Sequence, residues 1–220
     1  RDKHAAKELG ELTGLPCMGG NDVRTAGLGE MWKGGAAEYN NAVFLTLGTG
    51  VGSAIIIEGK VILGAMGAAG EIGHIKVDME ETDACGCGGI GCAEQYASAT
   101  GIVKMAKKKL AESDKPSVLR EGEVSAKNVF DAYKAGDELA TEVVEKFGHY
   151  LGYALAATAA VLDPEAFIIG GGVSKAGDVL IEVVQKYYKQ YVWPGCRDKK
   201  FVLAKLGNDA GIYGAASYVL

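Results

Sequence analysis

Short apolar runs alternate along this chain with longer helical patterns, and the turns between them are repeatedly glycine-rich. This alternation limits the possible folds more than any other feature. Apolar runs of that length are strands rather than helices, and strands interleaved with helices build an α/β sheet flanked by helices. The strands expected are AVFLTL (42–47), SAIII (53–57) and KVILG (60–64), the last two forming a hairpin across Glu58-Gly59, then AFIIG (166–170) and KFVLAKL (200–206). GLPCM (14–18) also reads as a short strand. Helices are expected over 3–13, with Leu9 and Leu12 on the apolar side, then over 23–32 and 94–111. Another follows the cap residue Ser125, and the last three cover 138–161, 179–191 and 211–220. No repeat of fixed period is visible.

Composition narrows the class. The 220 residues are 48% hydrophobic and 23% charged, enough to build a sizeable core. A net charge of −5 argues against a nucleic-acid surface, and KMAKKK (104–109) reads as the solvated face of a helix. The longest apolar run, LGYALAATAAVL (151–162), is shorter than the roughly 20 residues a membrane span needs. RDKHAAKELG has no apolar signal-peptide region. A cytoplasmic protein without membrane or nucleic-acid partners is therefore expected. The chain opens on a helix already under way and without an initiator Met, which reads as a fragment.

Three of the five cysteines, Cys85, Cys87 and Cys92, crowd into CGCGGIGC, and His74 lies upstream. Five is an odd number with no framework spacing, which points to metal binding in a reducing compartment rather than to disulfides. The glycines let the backbone turn tightly enough to aim three sulfurs at one point. Zinc favours four soft or borderline ligands in a tetrahedron, and three cysteines with one histidine are a common structural set. The expected site is a closed zinc site of His74, Cys85, Cys87 and Cys92 within a loop over 74–92. The alternative is three free thiols. Cys17 and Cys196 read as plain core or surface residues.

Two glycine loops could face an anion. LTLGTGVGSA places Gly48, Thr49 and Gly50 between two strands, and FIIGGGVS places Gly170, Gly171 and Gly172 before a helix. Neither fits a P-loop or a dinucleotide fingerprint, so each reads equally as a tight turn. Asn21 and Asp22 stand just before a helix, as a cap or with Asp22 as a general base. Glu71 and His74 are three residues apart in GAAGEIGH and share a face if that segment is helical. With Glu94 they offer hydrogen-bonding groups suited to a polyhydroxy ligand.

Taken together, GNDVRTAGLGE, LTLGTGVGSAIIIEGK, GAAGEIGH, CGCGGIGCAEQYAS, LDPEAFIIGGGVS and LGNDAGIYGAA resemble the ROK family of sugar kinases and sugar-responsive repressors. The match covers nearly the whole chain, and the wording is most like the family's bacterial glucokinases. The resemblance implies an actin-like ATPase (ribonuclease H-like) large domain with a mixed sheet and flanking helices, spanning 1–220. It implies transfer of the ATP γ-phosphoryl group to a hexose, glucose first, with Mg²⁺ and a structural Zn²⁺. Asp22 then matches the catalytic base, Asn21 a sugar-binding residue, and Glu71, His74 and Glu94 the sugar-hydroxyl contacts. Gly48 to Gly50 match the second phosphate loop and Gly170 to Gly172 the adenosine-side loop. His74 would offer one ring nitrogen to zinc and the other to the sugar.

The resemblance has two departures. The family's first phosphate loop, D-x-G-G-T, is absent together with its small domain, so the 220 residues alone are expected to be inactive. Arg24 stands where many relatives have Asn, and it could alter the edge of the site or point to solvent. The alternatives are a kinase for N-acetylmannosamine or fructose, and the sugar-sensing domain of a ROK repressor. A homo-dimer or tetramer is the assembly the family suggests.

Overall fold

The computed structural model describes residues 4–220; the expected helix start at Lys3 lies outside them. In chain order the elements are helices α1 (Ala5–Thr13) and α2 (Asp22–Lys33), then strands β1 (Ala42–Leu47), β2 (Val51–Ile57) and β3 (Lys60–Val61). Helices α3 (Glu94–Ala97), α4 (Ala99–Glu112), α5 (Ala126–Lys134) and α6 (Glu138–Leu162) follow. Strand β4 (Ala166–Gly170), helix α7 (Asp178–Tyr191), strand β5 (Lys200–Leu203) and helix α8 (Ala210–Ser217) complete the chain. The sheet order is β3-β2-β1-β4-β5. β1 is antiparallel to β2 and parallel to β4, and β4 is parallel to β5, so the sheet is mixed as expected.

β1 and β4 are buried on both faces, which is why their sequences run apolar without alternation. Val43, Leu45 and Leu47, with Phe167 and Ile169, face the larger core under α4 to α7. Ala42 and Phe44, with Ala166 and Ile168, face the smaller core against Val23, Ala26 and Met31 of α2. The result is three layers. The longest helix, α6, starts at Asp137, whose side chain accepts from the Ala140 N–H at 2.9 Å, and stops at Asp163 in the left-handed region (φ 45°). No described helix is long and apolar enough to cross a membrane.

α2 and α8 cross at glycine contacts. A Cβ on Gly29 would collide with the Ala210 carbonyl, and one on Gly214 with the Thr25 carbonyl. The two backbones therefore touch, with no side chain between them. α6 and α7 approach in the same way. A Cβ on Gly152 would lie 2.7 Å from the Tyr188 nitrogen.

Four expected elements differ. Residues 14–18 form no strand, and Leu15 and Met18 are 65% and 61% exposed. Pro16 removes a donor, and no described strand offers the segment an edge. The hairpin strand expected over 60–64 stops at Val61. Ile62 still donates to the Ile55 carbonyl, but Gly64, at φ +75°, turns the chain away. The strand at 200–206 ends at Leu203 because the next residues bend toward α2. The helix expected over 94–111 is interrupted at Ser98, whose hydroxyl caps α4 by accepting from the Gly101 N–H at 2.9 Å. α1 forms, but Leu9 and Leu12 on its apolar side stay exposed.

The α2–α8 crossing makes one substitution unfavourable and its near neighbour harmless. Gly214→Ala should destabilise the protein by about 1–3 kcal/mol through overpacking. Gly211→Ala has open space at its Cβ and should be neutral or stabilising by about 1 kcal/mol through helix propensity. Urea unfolding of both variants checks this, and equal effects would refute the close-contact account.

Candidate functional site

The site begins at the tip of α2. Asn21 takes the cap position, with φ −68° and ψ 140°, and its side chain accepts from the Arg24 N–H at 3.1 Å. Asp22 is thus the first helical residue and not the cap. Its Oδ1 accepts from the Val23 N–H at 2.9 Å, its side chain is exposed, and Oδ2 has no partner among the described residues. The helix N-terminus favours a carboxylate there. Val23 packs against Gly52, where a Cβ would lie 2.6 Å from Val23 Cγ2, so Asp22 stands beside the start of β2.

The segment after β3 returns to the same place. Arg24 is buried, and its Nη2 donates to the Gly67 and Ala69 carbonyls at 2.7 and 3.0 Å. The solvent-facing alternative for Arg24 does not hold: the buried side chain fastens the loop that precedes Glu71. Ser53 donates to the Gly70 carbonyl from β2. Exposed Glu71 follows, then a 3₁₀ turn over Ile72–His74. The turn lies directly on β2, since a Cβ on Gly73 would be 3.0 Å from Val51 Cβ. It holds His74 half-buried.

The thiols converge on that histidine. Cys85 Sγ lies 3.9 Å from His74 Nδ1, Cys87 Sγ lies 3.7 Å from Cys92 Sγ, and all four candidate ligand atoms fall within 4.8 Å of one another. A tetrahedron with metal–sulfur bonds of about 2.3 Å has edges of about 3.8 Å. The arrangement therefore fits a four-coordinate metal such as zinc. Burial pushes the Cys85 thiol up to about 11, while the Gly89 N–H holds Cys87 below the ordinary thiol range. Lys76, a residue that spacing gave no reason to single out, places Nζ 3.1 Å from Cys92 Sγ.

Glu94 joins the thiols to the first glycine loop. Its Oε2 accepts from the Val51 N–H at 2.8 Å, and Cys85 Sγ lies 3.7 Å from its Oε1. Gly50 lies against the Glu94 carboxylate, which a Cβ there would push aside. The loop folds on itself through Gly48 N–H to Gly50 O at 3.0 Å, with Thr49 exposed at its crest.

The second glycine loop meets the first. Gly171, at φ +84°, lies so close to the end of β1 that a Cβ would be 2.6 Å from Leu47 N and O. Beside it opens a cleft of about 440 Å³ at the carboxyl ends of the parallel strands, lined by Thr46, Gly170–Gly172, Ser174, Lys175, Lys205, Gly207 and Asn208. Clefts at this edge of an open sheet are where ligands bind. Ser174, Lys175, Lys205 and Asn208 were not singled out from sequence. LGNDAG contributed to the resemblance, but a loop lysine carries no pattern of its own.

A network anchors the thiol loop from behind. Asp78 Oδ2 accepts from the hydroxyls of Tyr96 (2.8 Å) and Tyr150 (2.6 Å), and Tyr96 also donates to Glu81 at 2.7 Å. Burial alone would raise the Asp78 carboxyl, but the hydrogen bonds of Tyr150, Tyr96 and the Glu80 N–H, with the Lys146 charge, together hold it below its usual value. Asn21, Asp22, Glu71, His74 and Glu94 thus border β2 and the thiol loop, while the 440 Å³ cleft lies along the neighbouring β1–β4 edge.

The ROK family model matches residues 1–220. A glucokinase of Halalkalibacterium halodurans is 43% identical over 219 residues, covering 97% of this chain and 66% of its own length. The chain therefore spans about two thirds of that relative. A ROK-family glucokinase of Streptomyces griseus, solved with glucose and AMPPNP, superposes with a TM-score of 0.86 at 32% identity, over 100% of this chain and 73% of its own. A ROK-family transcriptional regulator superposes equally well, at 0.86 and 30% identity, over 96% and 53% of the two chains. The mixed sheet with flanking helices is that of the actin-like ATPase fold. By its sequence along the full length and by its fold, this chain belongs to the ROK family.

Proposed function

We propose that this chain binds a hexose between the tip of α2, Glu71, His74 and Glu94, and binds ATP in the cleft beside Gly170–Gly172. In the whole protein the γ-phosphoryl group of ATP passes to a sugar hydroxyl, and glucose is the sugar that the glucokinase relatives favour. The observation that carries this reading is the position of Asp22. Asn21 already caps α2, so Asp22 is free, and one carboxylate oxygen is held by a backbone N–H while the other has no described partner.

Asp22 takes the proton of the attacking hydroxyl while its oxygen forms a bond to the γ-phosphorus and the bond to the β-phosphate oxygen breaks, leaving ADP. Asn21, Glu71, His74 and Glu94 hold the sugar hydroxyls. Gly48, Thr49 and Gly50 face the transferring phosphate, and Gly170, Gly171 and Gly172 the adenosine side. Mg²⁺ would neutralise phosphate charge, but the cleft does not supply its site. Glu30, the one carboxylate lining it, already accepts three backbone N–H groups. A zinc ion on His74, Cys85, Cys87 and Cys92 would cross-link the loop. With Nδ1 on the thiol side, the opposite ring nitrogen of His74 is left for the sugar.

A second reading, a sugar-sensing domain of a repressor, is supported by the equal TM-score of the regulator. Turnover separates the two. If the whole protein binds hexose without releasing ADP, it is a sensor.

Two outcomes follow from the kinase reading. In the whole protein, Asp22→Asn should keep hexose binding by calorimetry and lower kcat by about 10³-fold in an ADP-coupled assay; undiminished turnover would assign the base elsewhere. The 220-residue chain by itself should show no turnover. As for the metal, the purified protein should carry about one zinc per chain by elemental analysis, and Cys87→Ser or a chelator should remove it and lower Tm. A stable metal-free protein would overturn the zinc assignment.

A further inference from the structure

Helix α2 carries two charged side chains that phosphoryl transfer leaves without a role, and both are buried. Arg24 is 9% exposed and Glu30 is 0% exposed. Neither makes an ion pair with a described residue. A buried charge without a counter-charge is unfavourable unless hydrogen bonds satisfy it. Both satisfy it on the backbone of a loop distant in sequence. Arg24 Nη2 holds the Gly67 and Ala69 carbonyls, just before Glu71. The Glu30 carboxylate accepts from the Leu206 N–H at 2.7 Å on Oε1, and from the Lys205 N–H at 3.1 Å and the Gly35 N–H at 2.7 Å on Oε2. Gly34 leaves room for that carboxylate, since a Cβ there would collide with it.

The two residues are six positions apart, about 9 Å along a helix of fixed rise. One loop borders the proposed sugar surface and the other the proposed nucleotide cleft, which Lys205 and Glu30 both line. Asp22 sits at the tip of the same helix. The α8 backbone pressed against Gly29 and Thr25 keeps that helix from sliding.

We propose that Arg24 and Glu30 are positioning residues that make α2 a strut between the two substrate surfaces. Arg24 fixes the loop over 64–71 and Glu30 the loop over 204–208, both relative to Asp22. Neither side chain acts on a substrate directly. Each acts through the loop carbonyls or amides it holds. The geometry stands independently of the kinase reading, whereas the effect on turnover rests on it.

The test is amide hydrogen exchange combined with steady-state kinetics on the whole protein, for Arg24→Ala, Arg24→Lys and Glu30→Gln. Arg24→Ala should speed exchange at 67–72 about tenfold and leave 204–209 unchanged. Glu30→Gln keeps the shape but turns an NH₂ toward at least one N–H donor, so it should do the reverse. Hexose KM should rise about tenfold in Arg24→Ala with ATP KM unchanged, and ATP KM alone should rise in Glu30→Gln. Arg24→Lys, which restores one charged donor, should recover part of the loss. Faster exchange spread evenly over α2 and the sheet, or no change at either loop, would overturn the proposal. If the exchange pattern appears but the unsubstituted protein phosphorylates no hexose, the strut stands and the kinase reading falls.

Discussion

The site depends on how β1 ends. Leu47 is fully buried, and the backbone of Gly171 lies against it with no space for a Cβ. That contact continues the parallel ladder that sets the end of β4 beside the end of β1. On the other side of β1, β2 leaves in the antiparallel direction after Gly48–Gly50. The two glycine loops are therefore neighbours because the sheet is parallel on one side of β1 and antiparallel on the other. A side chain at Gly171 would separate them and open the sheet at its most buried strand.

The segment between β3 and α3 is held by different means. It contributes few apolar residues to the core, chiefly Ile72, Cys85 and Cys92. Its conformation rests instead on polar cross-links: Arg24 and Ser53 to the loop carbonyls, Gln95 to the Cys92 N–H and the Asp83 carbonyl, and the two tyrosines on Asp78. Four converging ligands in the same stretch add a fifth anchor when a metal occupies them. Such a segment can hold polar side chains at fixed positions on an open surface, where an apolar core would have drawn them inward.

The layers and the thiol cluster were legible in the sequence because each has a local signal. Apolar runs gave β1, β2 and β4 within two residues, and the cysteine spacing with the upstream histidine gave the candidate ligand set that the structure brings within 4.8 Å. Element ends were less legible. A strand needs a partner, and the sequence of 14–18 does not say that none is available. Ser98 looked like helix interior because its neighbours are helix formers, and only the capped Gly101 N–H shows the break. Arg24 stood out in sequence only as a departure from the family, and nothing singled out Glu30. Their burial arises from loops 40 to 180 residues away, and periodicity within α2 carries no trace of those loops. The Asn21-Asp22 pair was ambiguous between a helix cap and a general base because both residue types cap helices well; the backbone angles give the cap to Asn21 and leave the role of Asp22 a proposal.

The pairing of β1 with β4 has a consequence for how the chain is made. Ala42 aligns with Ala166, so the hairpin of β1 and β2 emerges from the ribosome long before the strand that covers its apolar edge. Contacts of such sequence separation close slowly, and an unpaired apolar edge is open to pairing with other chains meanwhile. The strand on which the site depends thus presents an apolar edge during synthesis. Until β4 arrives, that edge has no strand of the same sheet to cover it, and surfaces of this kind are what chaperones generally shield.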